Sequence, residues 1–325
     1  MVKVFIRIII FFVVVILLNF AAKEIVESSF DLDTMPEVKA KFEVLKNENF
    51  NTILVGSSRT FTSINPQYLA NLQIDNEPVK AYNLGISALF FPNSYFFIDK
   101  LTETIRPKPK LLLVELSYDD RFLLANFNSL MNEPYFQIYK ELNLEEFYRF
   151  LKVRLKTILE WPQKSMPNQY KNTEEGFISM DKRAEFFYDH IIQHQYYLKN
   201  EITKTSDHDP RISDFENSGN STESRLLKIY LYSLIKKSTQ SNYRIFFFLP
   251  NRISPTNRKI LLPAYRNLPD SLKFNPNLNP QFGQLMSPEL SWDLSHLNER
   301  GSKIYSQLFA EEFKKQIIDK GYLKN

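Results

Sequence analysis

Short runs of uninterrupted apolar residues, each ending at a turn residue, alternate along this chain with segments whose apolar positions recur at helical spacing. Thr52–Val55 is one such run and passes directly into Gly56-Ser57-Ser58-Arg59. Ser63–Leu72, with Pro66 at an early helical position, reads as the helix returning from it. Val79–Asn83 is a second strand, ending at Leu84-Gly85, and Leu111–Leu116 a third. Between them Pro92–Ile105 carries Phe96, Phe97, Leu101 and Ile105 at helical spacing, before Pro107 and Pro109 stop it. Arg244–Leu249 is a fourth strand and Leu272–Asn275 a short fifth. Asn298–Lys315 closes the chain as a helix with Ile304, Leu308, Phe309 and Phe313 on one face. Strands alternating with helices in this way predict an α/β fold: a doubly wound, mostly parallel five-stranded sheet with right-handed crossovers.

Two regions fall outside that rhythm. Residues 119–241 exceed what one crossover needs and read as a large helical insertion, with helical stretches near Leu144–Leu159 and Arg183–Tyr197. Within it the polar span Ser206–Glu223 is expected to be a mobile loop. The insertion is either a lid or a docking surface. At the other end, Lys3 and Arg7 precede and punctuate the apolar run Val4–Ala22, the signature of a membrane anchor or signal sequence over 1–22. The positive flank turns the N-terminus inward and exports the remainder. The expected order is therefore an N-terminal transmembrane helix, a charged stem over 23–49 and a domain over 50–325. The protein is expected to be membrane-anchored and extracytoplasmic (periplasmic or at the cell surface), or secreted if the leader is cleaved.

Composition narrows the chemistry. Apolar residues at 43% and aromatic residues at 14% of 325 predict a sizeable core. With 41 basic against 37 acidic side chains the net charge is only +4, which gives no support to nucleic-acid binding. The absence of cysteine excludes disulfides and thiolate zinc sites.

The strand that ends in Gly56 brings Ser57 and Ser58 into a tight turn, where backbone N–H groups and a hydroxyl face one point. A serine there becomes a nucleophile only if a neutral imidazole takes its proton and an acid orients that imidazole. Asp293-Leu294-Ser295-His296-Leu297-Asn298, followed by Gly301, supplies both at three-residue spacing after the last strand. That position is at the same C-terminal edge of the sheet as Ser58, where open α/β sheets place ligands. Gly56, Gly85 and Gly301 are three of only seven glycines, which marks them as positions where backbone geometry demands glycine. Arg59 is a candidate for steering an anionic or carbonyl-bearing substrate group, and Asp119 for binding a polar one. His190 and His194 stand four apart on a predicted helix, within reach of one metal ion. No third ligand has suitable spacing, so a surface or packing role is favoured and neither metal nor cofactor is expected. Asp207-His208-Asp209 reads as loop, and the insertion's aromatic residues as core ahead of a carbohydrate platform.

Taken together, GSSR after the first strand, NLGIS after the second and DLSHLN-x-x-G before the last helix resemble the SGNH (GDSL) hydrolase superfamily. More narrowly they are similar to its membrane-anchored branch, which includes the teichoic-acid D-alanyl transfer protein and alginate-type O-acetyltransferases. The resemblance implies Ser58 as nucleophile, His296 as base and Asp293 as acid, with Ser58 and Gly85 donating backbone N–H groups to the oxyanion. The family's third block normally adds an asparagine. Here the third strand leaves as Glu115-Leu116-Ser117-Tyr118-Asp119-Asp120, so either Ser117 or Tyr118 donates in its place or that donor is lost. The implied function is a serine-dependent acyl esterase or O-acyl(acetyl)transferase acting on a cell-envelope polysaccharide or other acylated glycan. The alternative is a non-catalytic accessory of the same fold that binds glycan or a membrane acyltransferase partner.

Overall fold

In the computed structural model, the described residues are 36–118, 174–211 and 221–323, apart from 88, 92, 186, 187 and 242, together with 5–7, 9–11 and 13. In chain order the elements are α1 (Pro36–Asn47), β1 (Thr52–Gly56), α2 (Ser58–Ser63), β2 (Gln73–Ile74), β3 (Glu77–Pro78), β4 (Ala81–Gly85), α3 (Asn93–Thr104) and β5 (Leu111–Glu115). They continue with α4 (Met180–Ala184), α5 (Tyr188–Asn200), α6 (Thr222–Gln240), β6 (Arg244–Phe248), α7 (Pro255–Arg266), β7 (Lys273–Phe274) and α8 (Glu299–Phe313).

Five strands form one sheet in the order β4-β1-β5-β6-β7, with every pairing parallel. This is the doubly wound order in which the chain leaves β1 to one side and crosses back to the other. β1, β4 and β5 are buried at every position, which is why none of them alternates apolar residues with solvent-facing polar ones. Alternation reappears across the two faces. Ile53, Val55, Leu112, Val114 and Phe247 pack against α1, α3, α6 and α7. Leu54, Leu113, Phe246 and Phe248 pack against Tyr305, Leu308, Phe309 and Phe313 of α8.

Several expectations shift. The helix expected over Ser63–Leu72 is instead the six-residue α2 followed by a 3₁₀ turn at Pro66–Leu69, capped by Asn65. A small antiparallel hairpin then forms because Asp75 and Asn76 both take positive φ, at 53° and 62°, the conformation of a two-residue hairpin turn. Residues 36–47, placed in the stem, form a core helix: Val38, Phe42 and Leu45 are buried in the main cluster. Lys41 is buried as well, its Nζ donating to the carbonyls of Asn83 (3.1 Å), Gly85 (2.6 Å) and Gly176 (3.1 Å).

Of the polar span Ser206–Glu223 expected as a loop, the first residues finish a 3₁₀ helix at Ile202–His208 and the last begin α6, while 212–220 lie outside the described residues. Arg183–Tyr197 is divided between α4 and α5. The helix expected near Leu144–Leu159 lies outside the described residues, as does most of the 1–22 segment. Among the described residues no helix is long and apolar enough to cross a membrane.

Candidate active site

β1 ends at Gly56, and Ser57 caps α2 from an extended conformation, its Oγ accepting from the Arg59 N–H at 3.3 Å. A side chain at Gly56 would collide with Thr60 Oγ1 and the Glu115 carboxylate, so the strand can turn into the helix this closely only with glycine. Glu115, at the end of the neighbouring strand β5, is fully buried. Its carboxylate accepts from the Ser57 N–H (3.1 Å), the Ser57 hydroxyl (2.8 Å), the Thr60 N–H (3.2 Å) and the Thr60 hydroxyl (2.6 Å). Arg59 Nη2 forms an ion pair with it at 2.9 Å. The N–H groups of Ser57, Arg59 and Thr60 are thus committed, and Ser58 is left at the head of the turn with its own N–H uncommitted among the described residues.

The second half of the site is the loop before α8. An antiparallel bridge joins Ser291 to Leu297, and the Trp292 N–H donates to the His296 carbonyl at 2.9 Å. Inside this closed loop Asp293 Oδ1 accepts from the N–H groups of Ser295 (2.6 Å) and His296 (2.8 Å). His296 Nδ1 lies 3.0 and 2.9 Å from the two carboxylate oxygens. A carboxylate only accepts, which puts the imidazole proton on Nδ1 and leaves Nε2 as an acceptor. That Nε2 lies 2.8 Å from Ser58 Oγ. Burial would push the Asp293 carboxyl up. The charge and ring hydrogen bond of His296, with the two backbone N–H groups, outweigh it and hold the carboxyl below its ordinary value.

The two halves are tied beneath the surface through the loop after β6. Arg59 Nη1 donates to the Arg252 carbonyl at 2.8 Å, and Arg252 Nη2 donates to Ser291 Oγ at 2.8 Å. Ser291 is two residues from Asp293, so a continuous buried path joins Glu115 to the acid–base loop.

Ser58 therefore meets His296 and Asp293 at one point, from a position far away in the chain. Other expectations need correction. The Gly85 N–H donates to Asn83 Oδ1 at 2.8 Å and is not available to an oxyanion. Gly85 is required instead because a side chain there would collide with the Phe61 backbone of α2. Arg59 does not reach outward to substrate: it is 8% exposed and engaged with Glu115, Ser57 and Arg252. Ser117 Oγ turns toward the Leu89 carbonyl at 3.4 Å and is fully buried, as is the Tyr118 side chain at 1% exposure. Asp119 lies outside the described residues.

His194 stacks on Trp292, ring centroids 4.3 Å apart, and its Nδ1 donates to the Trp292 carbonyl at 2.6 Å. His190 is one turn earlier on the same helix face. Burial, the charge of Arg183 and that of His296 push its imidazole down. Among the described residues no three metal-ligating side chains cluster. Asp209 binds Arg211 and, through its carbonyl, Arg258.

Glu115, Arg252 and the contacts of α4 and α5 are what sequence reasoning missed. One signal was present: Glu115 is the lone charge at the end of an otherwise apolar strand, LLLVE. Such a carboxylate has to meet donors or a cation when the strand is buried. No protein-family model, no curated protein and no solved structure matches this chain.

Proposed function

We propose that this protein is a serine-dependent acyl esterase or O-acyltransferase of the SGNH type. The observation that supports this reading most directly is the chain of contacts from Asp293 to His296 to Ser58, with Nε2 2.8 Å from Oγ. As Ser58 Oγ attacks an ester carbonyl, its proton passes to His296 Nε2 and the carbonyl oxygen becomes an oxyanion beside the Ser58 N–H. Collapse of the tetrahedral intermediate breaks the ester C–O bond. The leaving alcohol takes the proton from Nε2 and an acyl-Ser58 remains. Water, or a sugar hydroxyl in a transferase, then attacks that acyl group by the same steps in reverse. Asp293 holds the imidazole in the productive tautomer and stabilises its charged form. The narrower reading, O-acyl (above all O-acetyl) transfer or removal on a cell-envelope polysaccharide outside the cytoplasm, rests on the sequence resemblance and the apolar N-terminal segment.

A second reading has an observation in its favour. With the Gly85 N–H spent on Asn83 and no third-block asparagine, the family's usual oxyanion donors are reduced. A domain of this kind would bind an acylated glycan or a membrane acyltransferase partner without turning it over. A fluorophosphonate probe decides between the two. Under the catalytic reading it labels wild type, and labelling vanishes in Ser58→Ala. Folded wild type that stays unlabelled, with and without a membrane fraction, refutes that reading in favour of the accessory.

A further inference from the structure

The first strand pair fixes where a second oxyanion donor would come from. β1 and β4 are adjacent and parallel, Gly56 stands opposite Gly85, and the Ile86 N–H donates to the Gly56 carbonyl at 2.9 Å. Adjacent strands lie about 4.8 Å apart, so Ser58 and Ser87, each two residues beyond one of those glycines, leave neighbouring strand ends at the same edge. Ser87 is partly exposed there. Its Oγ accepts a hydrogen bond from Arg183 Nη2 at 2.7 Å. That bond occupies a lone pair on Oγ, and among the described residues the hydroxyl proton of Ser87 has no acceptor.

Arg183 comes from α4, in the insertion, and is only 5% exposed. Its guanidinium carbon sits 5.3 Å over the Phe61 ring. Phe61 is three residues beyond Ser58, on the same side of α2. The arginine is thus brought to the nucleophile's side of the turn as well as to Ser87. Next to it, α5 is pinned to the acid–base loop through His194 and Trp292.

We propose that the Ser87 hydroxyl is the second donor to the oxyanion, with Arg183 as the positioning residue that orients and polarises it. The proposal rests on the acyl-transfer reading above and assigns the donor that Gly85 does not supply. A hydroxyl that accepts from a cation becomes a stronger donor, because the two bonds polarise one another in a low-dielectric site. As the tetrahedral intermediate forms, the Ser58 N–H and the Ser87 O–H would converge on the developing negative charge. Arg183 neutralises it at one remove, and no proton is transferred from either donor.

The test uses the full chain with p-nitrophenyl acetate as substrate and a fluorophosphonate as a probe of Ser58. Ser87→Ala is expected to lower kcat by about 100- to 1,000-fold, the cost of one oxyanion donor, with KM nearly unchanged. Phosphonylation of Ser58 should slow in parallel, and Ser87→Thr should retain most of the rate. Arg183→Met should lose activity and regain part of it when guanidinium ion is added, a recovery that a purely structural role would not produce. That variant also decides the matter if Ser87→Ala does not fold. Wild-type rates in folded Ser87→Ala, or no loss in Arg183→Met, overturn this assignment alone. Wild type that neither hydrolyses the ester nor reacts at Ser58 overturns it together with the acyl-transfer reading.

Discussion

Glu115 accepts both the backbone N–H and the hydroxyl of Ser57, at 3.1 and 2.8 Å, and so holds the residue beside Ser58 from beneath. The same carboxylate takes both donors of Thr60 and pairs with Arg59, so five donors converge on one side chain that water does not reach. A buried charge with this many partners is costly to disturb, because each partner is left without a match.

Glu115→Gln keeps the shape but removes the charge facing Arg59 and turns one acceptor into a donor. The expected cost is about 3–5 kcal/mol, that of breaking a buried ion pair from one side, measured as the shift in a urea unfolding curve. Labelling of Ser58 by a fluorophosphonate should slow in the fraction that remains folded. A loss below about 1 kcal/mol would show that the network adds little to stability.

Asp293→Asn tests the carboxylate that faces His296. An amide cannot hold His296 in the tautomer that leaves Nε2 free, and a loss of about 10⁴-fold in kcat is expected in a folded protein. Stability carries a pH signature too. The folded Asp293 carboxyl lies below its ordinary value of 3.8, so its contribution is fully present above that value. It is lost as pH falls through the lower folded value. The stability gap between wild type and Asp293→Asn should therefore stay constant from neutral pH down and close only in stronger acid. A gap that closes between pH 7 and 5 would contradict this.

What the sequence made legible was the part with a strong local pattern. Buried parallel strands are mostly apolar runs bounded by turn residues, so the five strands of the sheet were legible to within about two residues of their ends. Ser58, Asp293 and His296 stand out in the sequence because each is at a turn with its own signature, and the fold brings them within hydrogen-bonding reach. The two crossover helices α6 and α7 were missed although both carried signals. In α6 the buried positions 227, 230, 231 and 234 have helical spacing behind the cap Ser221, and α7 begins with Ser254-Pro255. The polar residues just before α6 masked its start. The roles of Arg59 and Gly85 were not legible for a different reason: each is settled by a contact to a segment distant in the chain, directly for Arg59 and through Asn83 for Gly85. Arg59 turns inward because Glu115 waits 56 positions later, and the Gly85 N–H is taken by a side chain two residues away whose amide is fixed by α2. Local pattern places an element, but tertiary partners decide which way a polar group faces.

His208 gives a second pH prediction, distinct from the one at Asp293. Burial first, and then the charges of Arg252 and Arg258, lower its imidazole from 6.5 to about 4. In the unfolded chain the ring protonates near its ordinary value, whereas the folded protein resists protonation until about pH 4. The unfolded state therefore binds more protons across that interval, and stability must fall as pH drops from 6.5 toward 4. His208→Gln removes this dependence. Unfolding curves for the two proteins should differ in slope against pH over that window and run parallel above it. Parallel behaviour throughout would mean that His208 is solvated and titrates normally.

The contact between His194 and Trp292 bears on what the insertion does. A lid that opens would have to break this stack and release the Trp292 carbonyl, whereas a fixed wall would keep both. Because Trp292 precedes Asp293 directly, the contact also limits how far Asp293 can move. His194→Phe retains a ring over Trp292 but leaves the carbonyl without its donor, at a cost of about 1–3 kcal/mol. His194→Ala loses the stack as well and should be the less stable of the two. If α5 is a fixed wall, kcat should fall in the same order, because the orientation of Asp293 is loosened. Hydrogen exchange of the α5 amides in wild type provides the independent check. Protection close to that of α8 fits a wall, and exchange much faster than α8 with unchanged kcat in both variants would identify a lid instead.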